Sequence, residues 1–193
     1  MLKSQDVVLL LKFLANSDCL KWSQAEIARN LCISVSEVNA GIKRLIAARL
    51  LLLVEPSLGK LLYVHKRRES PIQIEPLYQP ILNTCEDFLI SGVKYFFPVK
   101  LGEVTSGIAT SYSAPVLKEY IAKGSDPIPV WPYAEGKQRG MSLEPLYSSV
   151  PKSVSLFPDP AFYDLLCLID VLRQGRVREI TFATQTLKER INP

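Results

Sequence analysis

The sequence predicts an α+β protein in two parts, a domain of residues 1–70 and a domain of residues 71–193. Proline divides the chain there, because of 14 prolines only Pro56 precedes residue 71. Charge divides it too: residues 1–70 hold 11 Lys and Arg against 6 Asp and Glu, and residues 71–193 hold 12 against 13. Apolar residues recur at helical spacing in the first part, whereas proline and glycine interrupt the second. The basic excess by itself supports a polyanionic partner only weakly.

The overall composition is that of a globular protein, with 48% hydrophobic and 22% charged residues. Cys19, Cys32, Cys85 and Cys167 form no CxxC pair and lie in or beside apolar runs, so we expect small buried thiols. The N-terminus does not resemble a signal peptide, and the apolar run 7–11 is too short to span a bilayer. We expect a soluble cytoplasmic protein with no membrane partner.

The first element is an amphipathic helix over residues 4–16. Its apolar residues Val7, Leu10, Leu11 and Leu14 recur at helical spacing, and Ser4 is available as the N-cap.

Two further helix starts follow, each with a complete capping box. Ser23 and Glu26 begin a second helix, and Ser34 and Glu37 begin a third at Val35, because each serine precedes a glutamate by three residues. Two residues separate the end of the second helix from the cap of the third. Short helices joined by so tight a turn match the helix-turn-helix arrangement.

The third helix divides into an apolar and a polar face. Val35, Val38, Ile42 and Leu45 share the inner face. The outer face is predicted to meet a DNA groove and consists of Ser36, Asn39, Ala40, Lys43 and Arg44. Asn can pair with an adenine edge, Ala permits close approach, and Lys and Arg reach phosphate or guanine. Glu37 is interpreted as a helix cap, since phosphates would repel its carboxylate.

Residues 50–54 and 61–65 form two strand-like runs joined by a turn containing Pro56 and Gly59. They predict a β-hairpin, the wing of a winged helix. Its candidate phosphate contacts are Lys60, Lys66, Arg67 and Arg68. A solvated charge run is the alternative interpretation of these cations.

With this order of elements, residues 1–70 resemble the winged-helix domains of MarR-type bacterial regulators. The resemblance rests on the stretches Trp22-Ser23-Gln24-Ala25-Glu26-Ile27-Ala28 and Ser34-Val35-Ser36-Glu37-Val38. It implies a DNA-binding fold that covers about a third of the chain. One departure is Arg49, which stands where such domains commonly have glycine at the end of the recognition helix. A non-glycine residue there must tolerate a left-handed backbone or change the exit of the helix.

The C-terminal part is predicted to be mixed and rich in loops. Apolar spacing indicates a helix over residues 75–91 that Gly92 stops, and residues 93–99 read as an aromatic strand. Residues 100–158 are expected to form ordered loops with short strands, since aromatic residues anchor them. Asp159 as N-cap and Pro160 at the first position begin a helix that ends near Gly175, and a final helix is predicted after it.

The segments Val93-Lys94-Tyr95-Phe96-Phe97-Pro98 and Gly107-Ile108-Ala109-Thr110-Ser111-Tyr112-Ser113-Ala114-Pro115, with the closing helical pair, are similar to the abortive-infection antitoxin class. In that class a winged helix is joined to a C-terminal antitoxin domain. The resemblance implies that residues 75–193 bind a protein or mediate self-association.

Catalysis is not expected. The chain has one histidine, His65, and no P-loop or GxGxxG, and its cysteines are too scattered for a metal site. We therefore predict no catalytic or metal-binding residues and no cofactor.

Three functions remain open at this stage. The leading hypothesis is a sequence-specific transcriptional repressor that binds double-stranded DNA as a homodimer, because one recognition helix reads few base pairs. The alternative is an antitoxin-like protein that sequesters a toxin or other partner through residues 75–193, with DNA binding only autoregulatory. A ligand-responsive regulator with an apolar pocket among the aromatic loops is the third.

Overall fold

The computed structural model describes residues 1–16, 22–54, 77–117 and 127–192, with no description of the side chains of Val54 and Leu77. Helices and small β-sheets are both present, so the chain is an α+β protein, as predicted. Within the described ranges, no helix is both long and apolar enough to cross a membrane.

Three N-terminal helices follow in the predicted order: α1, Ser4–Ala15; α2, Gln24–Leu31; and α3, Val35–Ala47. The hydroxyls of Ser23 and Ser34 accept the predicted backbone bonds, and each glutamate closes its capping box. The predicted cap of α1 is wrong by one residue. Ser4 lies inside the helix, because the Asp6 carboxylate accepts the Lys3 N–H at 2.8 Å and makes Lys3 the N-cap.

The turn between α2 and α3 depends on a left-handed residue, Cys32, with φ 53°. Its backbone N–H donates to the Arg29 carbonyl at 3.2 Å, and the Ile33 N–H donates to the Ala28 carbonyl at 3.0 Å. These bonds satisfy the last carbonyls of α2 and reverse the chain within two residues. Cys32 is partly exposed here, contrary to the predicted buried thiol, whereas Cys85 and Cys167 are buried as expected. Cys19 lies outside the described residues.

Strand β1, Leu51–Val54, pairs antiparallel with β2, Leu77–Pro80. The predicted helix over residues 75–91 is therefore wrong at its start. Proline disfavours a helical conformation in the residue before it, and β1 supplies the backbone partners that a helix would otherwise have to provide. Tyr78 is buried and its ring stacks on Phe13 of α1, with centroids 6.2 Å apart. The predicted second strand of the wing, residues 61–65, lies outside the described residues.

A helix then continues past the predicted stop at Gly92. It consists of α4, Leu82–Asp87, a π-helical turn, Phe88–Gly92, and α5, Val93–Phe96. The predicted strand over residues 93–99 is thus wrong. Leu89 and Val93 are both buried and lie four residues apart, so their packing favours a helix over a strand. The π turn accommodates one extra residue, as the bond from the Val93 N–H to the Phe88 carbonyl shows.

Three strands form a small closed barrel: β3, Leu101–Ala109; β4, Pro129–Pro132; and β5, Gln138–Leu143. β3 is antiparallel to the other two, which are parallel to each other. With nine residues, β3 is longer than the short strands predicted for this region. Two glycines permit the close packing. A Cβ at Gly107 would lie 2.0 Å from the Trp131 carbonyl oxygen, and one at Gly140 would lie 2.0 Å from that of Ile128.

The chain closes with α6, Val150–Leu156, α7, Pro160–Gln174, and α8, Val177–Ile191. Asp159 accepts the Phe162 N–H and Pro160 stands at the first position of α7, as predicted. Residues 165–172 of α7 are all buried, and α7 packs against α1, α5 and α8. One hydrophobic cluster includes residues of α1, α3, α7 and α8. The predicted domain boundary at residues 70 and 71 lies outside the described residues.

Asp170 of α7 is the polar centre of the C-terminal part. Its side chain is 1% exposed and accepts the Thr110 hydroxyl at 2.7 Å, the Trp131 indole N–H at 2.6 Å and the Arg173 guanidinium at 2.7 Å. Burial raises the pKa of Asp170, and Arg173 and the two neutral donors counteract this effect. Arg173 also donates to the Phe97 carbonyl at 2.7 Å, so this network joins the end of α5 to the barrel.

Replacing Asp170 should be far more destabilising than replacing another aspartate on the same helix. Asp170→Ala removes the acceptor of the Trp131 indole N–H and the buried counter-charge of Arg173, and should lower the free energy of unfolding by about 3 to 5 kcal/mol. Asp164→Ala is the matched control, because it breaks a more exposed pair with Arg190 at 3.0 Å and should cost below about 1 kcal/mol. Urea denaturation of both variants measures the difference, and equal losses would contradict the role given to Asp170.

Candidate nucleic-acid interface

The outer face of α3 is accessible along its length. Ser36 and Lys43 are exposed, Asn39 and Ala40 are partly buried, and all four lie on the side predicted to meet DNA. The opposite face is packed in the core through Val38, Gly41, Ile42 and Leu45. Ala40 has a small side chain, so a ligand can come close to the helix backbone between the polar residues.

Arg44 does not belong to this face. Its Nε and one terminal nitrogen donate to the two carboxylate oxygens of Asp6 at 2.7 and 2.6 Å. Asp6 is 0% exposed, and this bond raises the pKa of Arg44. Two of the three guanidinium nitrogens are thus held by a buried carboxylate of the protein itself, and the contact of Arg44 with DNA stays a prediction.

Gly41 explains how Asp6 comes so close to α3. A Cβ at this position would lie 3.0 Å from Leu9 Cδ2 and 3.1 Å from Asp6 Oδ1. Glycine thus lets α1 and α3 approach within reach of the Arg44 pair. Its position could have signalled this packing from the sequence, because glycine inside a helix costs about 1 kcal/mol relative to alanine and usually has a packing reason.

Glu37 is bound at the start of α3, as its predicted capping role requires. The Ser34 N–H donates to its carboxylate at 3.0 Å, and the Tyr147 hydroxyl donates to the other oxygen at 3.0 Å. The backbone bond from Ser34, followed by the bond from Tyr147, lowers the pKa of Glu37. The residue is thereby held as a carboxylate with its oxygens facing protein donors.

The C-terminal part holds the other side of the turn. Ser149 Oγ donates to the Leu31 carbonyl and Ser153 Oγ to the Asn30 carbonyl, both at 2.7 Å. These are carbonyls at the end of α2 that a helix cannot satisfy internally. We call Tyr147, Ser149 and Ser153 the turn clamp. They lie over 100 residues from their partners in the chain, so local patterns gave no indication of them.

Asn39 is oriented by α2. Its amide nitrogen donates to Gln24 Oε1 at 3.2 Å, and the Gln24 amide nitrogen lies 3.4 Å from the Tyr78 hydroxyl. The side chain is therefore fixed at the junction of α2, α3 and β2. Pairing with an adenine would have to share or replace the bond to Gln24.

Arg49 ends α3 at the position where the sequence has no glycine. It adopts a left-handed conformation with φ 58°, and its N–H donates to the Ile46 carbonyl at 2.9 Å. The helix therefore ends as a glycine would allow, at a strain of about 1 kcal/mol, and Leu50 is buried directly after it. Arg49 itself is exposed. It is a second exposed cation besides Lys43, just beyond the end of α3. Arg49 was not among the predicted DNA contacts.

The four predicted cations of the wing, Lys60, Lys66, Arg67 and Arg68, lie outside the described residues. Within the described ranges, no three His, Cys, Asp or Glu side chains are grouped in a way that could hold a metal ion. Comparisons of the chain with protein-family models, with curated proteins and with solved structures find no match.

Neighbouring residues of α3 should differ sharply in their effect on stability. Arg44→Ala leaves the buried Asp6 carboxylate without its cation and should lower the free energy of unfolding by about 3 kcal/mol. Lys43→Ala removes an exposed side chain and should leave it nearly unchanged. Thermal and urea unfolding of the two variants measure this. A tolerant Arg44→Ala variant would contradict the structural assignment of the guanidinium.

Proposed function

We propose that this protein is a sequence-specific DNA-binding regulator, a repressor that reads the major groove with α3 of a winged helix-turn-helix. The observation that carries the proposal is the exposed polar face of α3 directly after the left-handed turn at Cys32. A recognition helix needs such a face, free of its own core contacts and long enough to reach several base edges.

The second support is the rigidity of this helix. Asp6 fixes its inner side, the capping box and Tyr147 fix its start, and the left-handed Arg49 fixes its end. A recognition helix that is held at its inner side and at both ends loses little conformational entropy on binding, because its position is already set. None of these bonds uses a side chain of the outer face. On that face, Asn39 is bound to Gln24, and Ser36 Oγ lies 2.9 Å from Ser34 Oγ.

The proposed contacts divide by chemistry. Asn39 and Ser36 can read base edges, Ala40 permits the approach, and Lys43 and Arg49 supply positive charge for phosphates. The predicted contacts of the wing remain part of the proposal. A homodimer would double the short site that one helix reads, in keeping with the two-fold symmetry of such regulators.

The DNA proposal is tested with a fluorescent fragment from immediately upstream of the protein's own gene. Asn39→Ala should weaken binding to this fragment about tenfold to a hundredfold and weaken binding to unrelated DNA much less. Lys43→Ala should weaken binding to both and reduce the slope of log K against log salt by about one.

Lys100→Ala is the matched control, because Lys100 is an exposed lysine immediately before β3, which packs against β4 and β5. It should bind both fragments like the unmodified protein. Binding that is unchanged in both α3 variants, or that is lost equally in the control, would overturn the assignment of α3 as the reading helix.

A second candidate function, an antitoxin-like interaction protein, is favoured by one observation. Tyr95 and Phe96 of α5 are 76% and 66% exposed, although large aromatic side chains are usually sheltered. Lys94 Nζ lies 5.0 Å from the Tyr95 ring centroid, so a cation flanks the aromatic pair. Exposed aromatics with an adjacent cation are typical of protein-binding surfaces.

This candidate predicts that the product of the adjacent gene binds the protein through α5. The double variant Tyr95→Ser/Phe96→Ser should weaken the complex at least about tenfold in an isothermal titration. Leu156→Ser is the control, since Leu156 is another exposed apolar residue, on α6. A neighbour that does not associate at micromolar concentration, or that binds the double variant normally, counts against the candidate.

A further inference from the structure

A cavity of about 450 Å³ lies between the barrel and the two helices α6 and α7. Its walls come from the end of β3, the turn between β4 and β5, the last residues of α6 and the start of α7. The volume falls within the range of sites that hold small organic molecules. None of the residues assigned above to DNA contact lines it.

The walls are rigid. Pro115, Pro158 and Pro160 all line the cavity, and proline fixes the backbone where it stands. The turn that forms one lip is seated directly on β3, because a Cβ at Gly136 would lie 2.3 to 2.4 Å from the backbone of Gly107. A cavity with fixed walls is formed before the ligand arrives, which reduces the entropic cost of binding.

Two tyrosine rings, of Tyr133 and Tyr163, lie in the mainly apolar lining. Tyr163 donates its hydroxyl hydrogen to the Ala109 carbonyl, and burial raises the pKa of Tyr163. The hydroxyl is thus already engaged, and the ring is what remains for a ligand. The ring also meets buried Trp131 edge-on, with centroids 5.8 Å apart and an interplanar angle of 75°. Tyr133 supplies another ring to the lining.

The charges of the cavity are balanced. Asp159 caps α7 and pairs with Lys12 Nζ at 2.8 Å, so its charge is already neutralised by the protein. Glu135 and Lys137 are exposed at the rim and have opposite signs. Ser113 and Ser155 add neutral polar groups. A charged ligand would lose its hydration without gaining a net opposite charge in return. A neutral ligand avoids this cost, because removing a charge from water is far more expensive than removing a neutral group.

We propose that this cavity is a binding site for a neutral aromatic small molecule. The aromatic part packs against the Tyr133 and Tyr163 rings, and neutral hydrogen-bonding groups meet the serines and the polar rim. The site is separate from the outer face of α3, since its lining comes from other elements.

The probe for the test is N-phenyl-1-naphthylamine, a neutral aromatic dye whose emission rises in apolar surroundings. We expect saturable binding of one dye per chain with a dissociation constant in the micromolar range, on the order of 1 to 50 μM. Its location is checked with variants of residues that line the cavity.

Two variants of α6 separate the cavity from the rest of the surface. Ser155→Phe places a ring in the cavity and should weaken dye binding at least about tenfold by removing space. Lys152→Phe adds the same ring on the same helix at an exposed residue that does not line the cavity. It should bind the dye like the unmodified protein.

Absence of saturable binding, or undiminished binding to a folded Ser155→Phe variant, would overturn the proposal. Circular dichroism shows whether the variants are folded. If Ser155→Phe does not fold, Gln138→Phe decides, because Gln138 is an exposed residue of β5 that also lines the cavity. Dye binding that is weakened at least about tenfold supports the cavity, and undiminished binding overturns it.

Discussion

Asp6 is fully buried beneath α3, and its two carboxylate oxygens are held by two nitrogens of Arg44. A buried carboxylate without a cation is costly by several kcal/mol, so this pair fixes the distance and rotation between α1 and α3. Six residues further along α1, Lys12 is 3% exposed and must be paired in turn. Its partner is Asp159, at the cap of α7. One helix with two buried charges thereby joins the N-terminal helices to the C-terminal part.

These pairs also decide what α3 can offer to a ligand. Because Arg44 is committed to Asp6, the exposed cations at this face are Lys43 and Arg49 among the described residues. The bond from Arg44 to Asp6 thus helps to orient α3. The turn clamp acts in the same sense, since Tyr147 and Ser149 hold the two ends of the turn that precedes the face. The proposed reading helix is therefore positioned by residues from both halves of the chain.

The short helix α6 connects this arrangement with the cavity. Ser153 donates to the end of α2, and its neighbours Val154 and Ser155 line the cavity on the other side. Asp159 has a similar double position, because it lines the cavity and pairs with Lys12 of α1. The wall of the cavity and the supports of the N-terminal helices are thus built from adjacent residues. The Asp170 network holds the barrel side of the same region through Trp131 and Thr110.

The sequence by itself determined the helices whose signals lie within a few residues. The capping boxes of Ser23 and Ser34, the Asp159-Pro160 start and the apolar stripe of α7 all form as predicted, because cap and helix are covalent neighbours. Tertiary structure decided the rest. Leu77–Pro80 became a strand because β1 was there to pair with it, and residues 93–96 stayed helical because Val93 packs beside Leu89. Arg44 pairs with Asp6, which lies 38 residues away, so no local pattern indicated the bond. A pattern of neighbours shows which face of a helix is polar, but a bond between distant residues decides which of those polar groups remain free for a ligand.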